Sequence, residues 1–223
     1  MIPAVDWITF DCYGTLIDWE RGIRTHLARL LIQKRVSVPV DELLRAWEQS
    51  QFKLIQQPYH RYRVILGDSL EEALNRFKVT YDPEDGPRFA HAMGSWRPFK
   101  EVPAALERLK KKFKLGIVSN VDRDILSRTL TYLGVPFDMV VTAEDVRAYK
   151  PSAKGFEEAL KRMGSPAERV LHAAFGVVYD LGPARKLGMK LCLVRRPGLP
   201  KAAVPPTDLD VHDLTELADK LGA

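Results

Sequence analysis

Cysteine is scarce in this chain, and long apolar runs are lacking. The two cysteines, Cys12 and Cys192, sit in apolar, strand-like contexts. This pattern excludes a disulfide framework and predicts reduced, packed thiols in a cytoplasmic protein. No apolar stretch reaches about 18 residues, and no basic segment leads into an apolar one at the start. We therefore expect a soluble protein with neither a membrane partner nor a secretory signal.

The chain carries only a small excess of positive charge. The 34 lysines and arginines against 29 acidic residues give a net charge of +5. Basic residues are scattered, and the run Lys110–Lys112 ends a predicted helix, where cations complement the helix dipole. The balance suits a small anionic substrate and does not indicate a nucleic-acid partner.

The first part of the chain combines one buried strand with a block of helices. Val5–Phe10 is a continuous apolar run, typical of a buried strand. Apolar residues then recur at helical spacing until the segment around Trp96 breaks the pattern. The predicted helices cover residues 19–33, 40–56, 61–79 and 83–93.

Strands and helices alternate after this block, which favours βαβ units in a parallel sheet. The predicted strands are 115–119, 140–142, 170–174 and 189–194, and the helices are 102–112, 122–133, 152–163 and 180–187, with Asp122 as the N-cap of the second. The first strand is too apolar to stand alone and must join this sheet. The sequence thus predicts an α/β core from residues 1–16 and 97–223, and a helical cap from residues 17–96, placed over the carboxyl ends of the strands. Exposed faces of the cap helices could pair in a homodimer.

Chemically reactive side chains follow the predicted strands. Asp11 ends the first strand, Gly14 allows a tight turn, and the hydroxyl of Thr15 can hold an anion nearby. Lys150 and Asp180 follow later strands, where a lysine would keep the Asp11 carboxylate ionised and Asp180 could orient a water. Because parallel strands end at one edge of a sheet, these side chains should converge, together with Ser119 and Asn120.

Each of these residues also has an ordinary structural interpretation. A lysine before a proline is usually a solvated loop residue, and a Ser-Asn pair after a strand is often only a turn. Asp180 could simply cap its helix. The four strand ends taken together, in this order, favour a catalytic crevice over these single explanations.

The motifs Phe-Asp-Cys-Tyr-Gly-Thr-Leu, Val-Ser-Asn, Ala-Tyr-Lys-Pro and Leu-Gly-Pro-Ala-Arg resemble those of the haloacid dehalogenase-like hydrolases, and within them the type II 2-haloacid dehalogenases. The resemblance implies a Rossmann-like fold with an inserted helical cap. It also implies that Asp11 displaces halide from a 2-haloacid and forms an aspartyl ester that water hydrolyses. The other implied site residues are Thr15, Lys150 and Asp180 in catalysis, and Tyr13, Ser119 and Asn120 in substrate binding.

Tyr13 decides between the subgroups. Phosphatases of the superfamily have an acidic residue at this place, and a tyrosine cannot replace it as general acid. Phe175 stands near the place of their second metal ligand, and a phenyl ring does not bind a hard cation. We therefore expect no metal and no cofactor. A Mg²⁺-dependent phosphatase and a catalytically weak small-anion-binding protein remain as alternatives.

Several positions differ from the well-studied dehalogenases. Glu48 aligns with an arginine that binds the halide in those enzymes, and nearby Arg45, Arg61 or Arg63 could replace it. Phe156 stands where a tyrosine is common, and Val177 follows Phe175 in a segment that is usually polar. If these differences carry into the fold, water positioning depends on Asp180 and Lys150.

Overall fold

A computed structural model describes residues 4–198 and 203–223. Within those residues, all strands belong to one sheet: β1 (Trp7–Phe10), β2 (Lys114–Ser119), β3 (Met139–Thr142), β4 (Val170–Ala174), β5 (Lys190–Val194) and β6 (Leu209–Val211). The strand order is β3-β2-β1-β4-β5-β6, and every pairing is parallel. The predicted Rossmann-like α/β fold is confirmed.

The first strand lies in the middle of the sheet, between β2 and β4. Its residues Trp7–Phe10 are all buried, as expected for a parallel strand covered on both faces. Ile8 and Phe10 pack into one apolar layer and Trp7 into the other. The connections reverse direction at β1, so the crevice at its carboxyl end is the place where such sheets bind ligands.

A block of helices separates β1 from the rest of the sheet. It consists of α1 (Trp19–Lys34), α2 (Val40–Leu54), α3 (Tyr62–Arg76) and α4 (Asp85–Met93). These helices pack on one another, and their buried leucines continue into the apolar layer on one face of the sheet. The Asp18 side chain caps α1 by accepting a hydrogen bond from the backbone N–H of Arg21 at 3.2 Å.

Helices cover both faces of the sheet. In chain order they are α5 (Val102–Lys110), α6 (Arg123–Leu130), α7 (Ala143–Val146), α8 (Lys154–Met163), α9 (Gly182–Lys186) and α10 (Leu214–Lys220). Helices α5, α6 and α10 share the apolar layer with the helical block, whereas α8 and α9 pack on the opposite face. None of the described helices has the length and apolarity to cross a membrane.

The structure differs from the sequence prediction in several elements and in one helix cap. β6, α10 and the short α7 were not predicted. The helix expected at residues 180–187 is a π-helical turn, Val177–Leu181, followed by α9. Asp122 precedes α6, but its side chain does not cap that helix. Its carboxylate instead accepts hydrogen bonds from the backbone N–H groups of Tyr62 and Arg63, at 2.9 and 3.0 Å, and caps α3.

Candidate active site

Asp11 lies directly beyond β1, at the floor of a cleft between the sheet and the helical block. Its Oδ1 accepts a hydrogen bond from Lys150 Nζ at 2.8 Å, and its Oδ2 accepts one from Thr15 Oγ1 at 3.0 Å. Burial raises the pKa of Asp11 and the charge of Asp180 adds to the rise, while the ammonium group of Lys150 opposes it. The carboxylate is thus fixed through both oxygens.

The loop after Asp11 turns so that the Thr15 hydroxyl reaches the Asp11 carboxylate. Gly14 has φ +98°, and a Cβ there would lie 3.2 Å from the Trp19 ring and 3.3 Å from the Phe175 ring, so only glycine fits without strain. Thr15 is fully buried and also accepts a hydrogen bond from the Phe175 backbone N–H at 3.0 Å. Thr15 therefore joins the loop after β1 to the loop after β4.

Lys150 connects two carboxylates. Its Nζ donates to Asp11 at 2.8 Å, to Asp180 Oδ1 at 2.5 Å and to the carbonyl of Val118 at 3.0 Å. Burial alone would lower the pKa of Lys150, but the charges of Asp11 and Asp180 and its hydrogen bonds to them outweigh burial and raise it. Lys150 is therefore a buried cation, and the solvated-loop interpretation is wrong.

Asp180 lies in the π-helical turn after β4, a rare geometry that often marks functional sites. It is 2% exposed, and Lys150 and His172 both contact its Oδ1. Burial alone would raise the pKa of Asp180, but the charge of Lys150 and the hydrogen bond from His172 outweigh burial and lower it. Asp180 therefore retains its negative charge close to Asp11.

His172 is a site residue that the sequence analysis missed. It lies in β4, is fully buried, and places Nε2 3.3 Å from Asp180 Oδ1 and Nδ1 2.9 Å from Thr9 Oγ1. A titratable side chain in the otherwise apolar strand Val170–Ala174 was the available signal. A buried polar chain thus runs from Thr9 through His172, Asp180 and Lys150 to Asp11.

Ser119 ends β2 and Asn120 follows it, and both line the cleft, as predicted. The Ser119 hydroxyl has no hydrogen-bond partner in the part of the chain that the structure describes. The side-chain amide of Asn120 donates to the Lys150 carbonyl at 3.1 Å and accepts from the Lys150 backbone N–H at 2.7 Å. Asn120 therefore fixes the backbone of the segment that carries Lys150.

Tyr13 also lines the cleft, with its ring edge against Trp96 at a centroid distance of 6.2 Å. Its hydroxyl forms a 2.7 Å hydrogen bond with Thr129 Oγ1. Burial raises the pKa of Tyr13 well above the usual range, so the phenol stays protonated. Tyr13 presents a ring to the cleft and not an acid.

The cleft has a volume of ≈ 690 Å³ and is roofed by the helical block. Most of the roof is apolar or aromatic, and its charged members are Glu20, Arg24, Asp41, Arg45 and Glu48. Arg24 pairs with Glu20 and Asp41. Arg45 has no ion-pair partner within residues 4–198 and 203–223, which leaves its charge available to a ligand.

Glu48 lines the cleft, so an acidic side chain lies in the cleft where the sequence comparison expected the arginine of the dehalogenases. Burial raises its pKa and the charge of Glu20 adds to the rise, while Arg24 and Arg45 oppose it. Both Phe175 and Val177 line the cleft, as the apolar substitutions in the sequence predicted. Phe156 packs behind it, edge-on to the His172 ring at 5.0 Å.

The donor set does not fit a divalent metal. Lys150 Nζ already bridges Asp11 and Asp180, and Phe175 stands beside them where a further oxygen ligand would be needed. Over residues 4–198 and 203–223, no group of three or more histidine, cysteine or acidic side chains is close enough to hold an ion.

Both the sequence and the structure of this chain are similar to those of known hydrolases over most of its length. An (S)-2-haloacid dehalogenase of Pseudomonas putida is 26% identical over 200 residues, 86% of this chain and 85% of the relative. A glyceraldehyde 3-phosphate phosphatase of Methanothermobacter thermautotrophicus is 28% identical over 202 residues, 84% of each chain. The crystal structure of the L-2-haloacid dehalogenase PA0810 superimposes with a TM-score of 0.87 at 26% identity, covering 98% of this chain and 99% of that one.

Residues 5–174 match the family described as haloacid dehalogenase-like hydrolase. The matched segment contains Asp11, Thr15, Ser119 and Lys150, so it includes most of the buried network described above. The family resemblance predicted from the sequence motifs is confirmed. The chain belongs to the haloacid dehalogenase-like hydrolases.

Proposed function

We propose that this protein is a metal-independent 2-haloacid dehalogenase that works through an ester on Asp11. The observation that carries the proposal is the buried Asp11 carboxylate at the cleft floor, held by Lys150 and Thr15. A fixed carboxylate beside an apolar cleft is suited to attack carbon. The dehalogenases among the relatives and the solved structures support this substrate class.

In the first step, a carboxylate oxygen of Asp11 attacks the carbon that bears the halogen. A carbon–oxygen bond forms, and the carbon–halogen bond breaks as the halide leaves with its electron pair. Lys150 orients Asp11 for this attack. Because Tyr13 keeps its proton and lies at the cleft, it contributes a ring surface to substrate binding.

In the second step, water attacks the Asp11 carbonyl carbon and releases a 2-hydroxy acid. Asp180 accepts a proton from this water, since its carboxylate is ionised and lies beside Asp11. Ser119, whose hydroxyl is not engaged by any described residue, and Asn120 bind the substrate carboxylate. Arg45 supplies the positive charge that Glu48 does not.

The chain divides into two working parts in this proposal. Residues 1–16 and 97–223 form the core that carries the nucleophile, and residues 17–96 form a cap that encloses the substrate. The apolar roof of the cleft comes from the cap, so the cap selects the substrate by shape. Closing such a cap would exclude bulk water from the first step.

No metal takes part in the proposed reaction, because Lys150 already supplies the cation between the two carboxylates. The phosphatase among the relatives keeps a Mg²⁺-dependent phosphate ester hydrolysis as the alternative outcome. The second alternative is a protein that binds small anions without converting them.

The test is halide release from both enantiomers of 2-chloropropanoate, with and without EDTA. We expect release that EDTA does not change, and a transient adduct on the peptide that contains Asp11, detected by mass spectrometry. Asp11→Asn should lower release by about 1000-fold or more. Asp6→Asn is the matched control, because Asp6 precedes the same strand at its opposite end and pairs with Arg169 at the surface.

Absence of halide release from the wild-type protein across a panel of haloacids would overturn the proposal. EDTA-sensitive hydrolysis of a phosphate monoester would replace it with the phosphatase activity. Thermal stabilisation by small anions without any turnover would indicate the binding protein.

A further inference from the structure

The two carboxylate oxygens of Asp180 have different surroundings. Oδ1 receives Lys150 Nζ at 2.5 Å and lies 3.3 Å from His172 Nε2. Oδ2 has no hydrogen-bond partner among the described residues, and it lies so close to Gly176 that a Cβ there would overlap it. One oxygen is therefore engaged by the protein, while the other remains available beside the cleft.

His172 contacts this carboxylate from within the sheet. It is fully buried, does not line the cleft, and so cannot touch the substrate. An ionised carboxylate oxygen at this distance requires a donor, so Nε2 carries the hydrogen. Nδ1 then accepts from the Thr9 hydroxyl at 2.9 Å, and this second bond selects the tautomer.

The three residues that directly follow β4 provide no substitute for this contact. Phe175 and Val177 have apolar side chains, and Gly176 has none, so none of the three can donate a side-chain hydrogen bond to the carboxylate. Lys150 supplies only one hydrogen bond to Asp180, because its other two donors are engaged by Asp11 and the Val118 carbonyl, and a single hydrogen bond leaves the carboxylate free to rotate about Cβ–Cγ. A second donor on the same oxygen removes that freedom.

We propose that His172 is a positioning residue for ester hydrolysis, which donates Nε2–H to Oδ1 of Asp180 and so directs Oδ2 toward the hydrolytic water. The role rests on the proposed dehalogenase function. Water adds its oxygen to Cγ of the Asp11 ester and gives one proton to Oδ2 of Asp180. The bond from Cγ to the substrate oxygen then breaks, the departing alkoxide takes that proton, and the regenerated Asp11 loses the remaining proton to solvent.

This assignment makes the second step sensitive to His172 and the first step insensitive to it, because Lys150 and Thr15 alone hold the nucleophile. In rapid-mixing experiments, His172→Leu should release about one halide per chain at the wild-type rate. Steady-state turnover should then be slower by about tenfold or more, and the Asp11 ester should accumulate in the mass spectrum.

Two amide variants separate the contacts of the imidazole. His172→Gln extends a donor to the position of Nε2 and should restore turnover to within about threefold of the wild type. His172→Asn reaches only the position of Nδ1, beside Thr9, and should behave like His172→Leu. Phe156→Leu is the packing control, because Phe156 packs on the His172 ring and has no polar group that could hydrogen-bond Asp180.

Equal turnover in His172→Leu and the wild type, without ester accumulation, would overturn the role while the dehalogenase activity stood. A wild-type protein without halide release would overturn both. Nitrogen NMR of the imidazole tests the contact without any turnover. We expect the Nε2–H tautomer in the wild type and a changed Nε2 signal in Asp180→Asn, whereas an Nδ1–H tautomer would contradict the assignment.

Discussion

The carboxylate of Asp122 accepts a hydrogen bond from the backbone N–H of Tyr62 at 2.9 Å, and so caps a helix that begins 60 residues earlier in the chain. Asp122 lies between β2 and α6 in the core, whereas Tyr62 opens α3 in the helical block. The neighbouring N–H of Arg63 reaches the same carboxylate at 3.0 Å. The block is therefore joined to the sheet by a buried cap as well as by apolar packing.

Removing this cap should destabilise the protein. Asp122→Ala leaves two N–H groups of α3 without their acceptor, and we expect the free energy of unfolding to fall by about 1–2 kcal/mol in urea. The matched control is Asp124→Ala, because Asp124 pairs with Arg61 and Arg63 at the exposed surface. That variant should cost less than about 1 kcal/mol. Equal losses in both variants would contradict a capping role for Asp122.

Replacing Lys150 should lower the free energy of unfolding much more than replacing an ordinary surface lysine does. Lys150→Met leaves Asp11 and Asp180 buried without their cation, and we expect a loss of about 3–5 kcal/mol near neutral pH. The loss should shrink as the pH falls, because protonation removes the uncompensated charges. Lys110→Met, which breaks a pair with Asp138 near the surface, should cost less than about 1 kcal/mol. Urea unfolding at several pH values measures both variants.

A methyl group at position 176 should disturb Asp180. In Gly176→Ala the new Cβ overlaps Oδ2, so the carboxylate must move and halide turnover should fall by about 100-fold. Gly182→Ala lies in the same segment, but its Cβ would lie 3.8 Å from the nearest atom, the Val177 carbonyl oxygen. That control should keep full turnover and gain about 0.4–1 kcal/mol of stability. Full activity in Gly176→Ala would show that the position of Oδ2 does not matter.

The acid limb of the pH profile should report Asp11. The nucleophile must be deprotonated, and burial raises its pKa above the ordinary 3.8, so kcat/KM should begin to fall at a higher pH than for a solvated aspartate. Asp180 has a lowered pKa and stays ionised over that range. Halide release and circular dichroism recorded at the same pH values separate this titration from acid unfolding. An acid limb at or below 3.8 would contradict a buried nucleophile with a raised pKa.

Arg45 should matter for substrate affinity. Arg45→Gln removes a cation of the cleft roof that forms no ion pair with any described residue, and we expect KM for a 2-haloacid to rise about tenfold, which corresponds to about 1.4 kcal/mol. Arg29→Gln on α1 is the control, since Arg29 does not line this cleft. A change in kcat with KM unaltered would assign Arg45 to the reaction and not to binding.

Much of the candidate site was predictable because its residues follow strands. A continuous apolar run indicates a buried parallel strand, and parallel strands end at one edge of a sheet, so Asp11, Lys150 and Asp180 had to converge. The motifs around these residues carried the family relationship as well. Phe175 and Val177 also predicted a loss of polarity in the segment after β4, and both side chains line the cleft.

Local patterns left other contacts undetermined. The sequence could not indicate that Asp122 caps α3 instead of α6. A helix cap is predicted from the residues that directly follow it in the chain, whereas the Asp122 carboxylate accepts hydrogen bonds from a helix 60 residues earlier. The hydrogen bonds between the Asn120 side-chain amide and the Lys150 backbone could not be predicted from the sequence either. β6 and α10 escaped prediction because three-residue and seven-residue elements carry little periodicity.

The sequence by itself determined the main strands and helices, the parallel sheet, the helical insertion and the candidate side chains that follow the strands, since each depends on residues close together in the chain. Only the tertiary structure decided which groups hold those side chains in place. His172 meets Asp180 because a strand and a π-helical turn pack together, and Lys150 lies between two carboxylates because three loops meet at one sheet edge. Such contacts depend on distances between elements, which no local pattern contains.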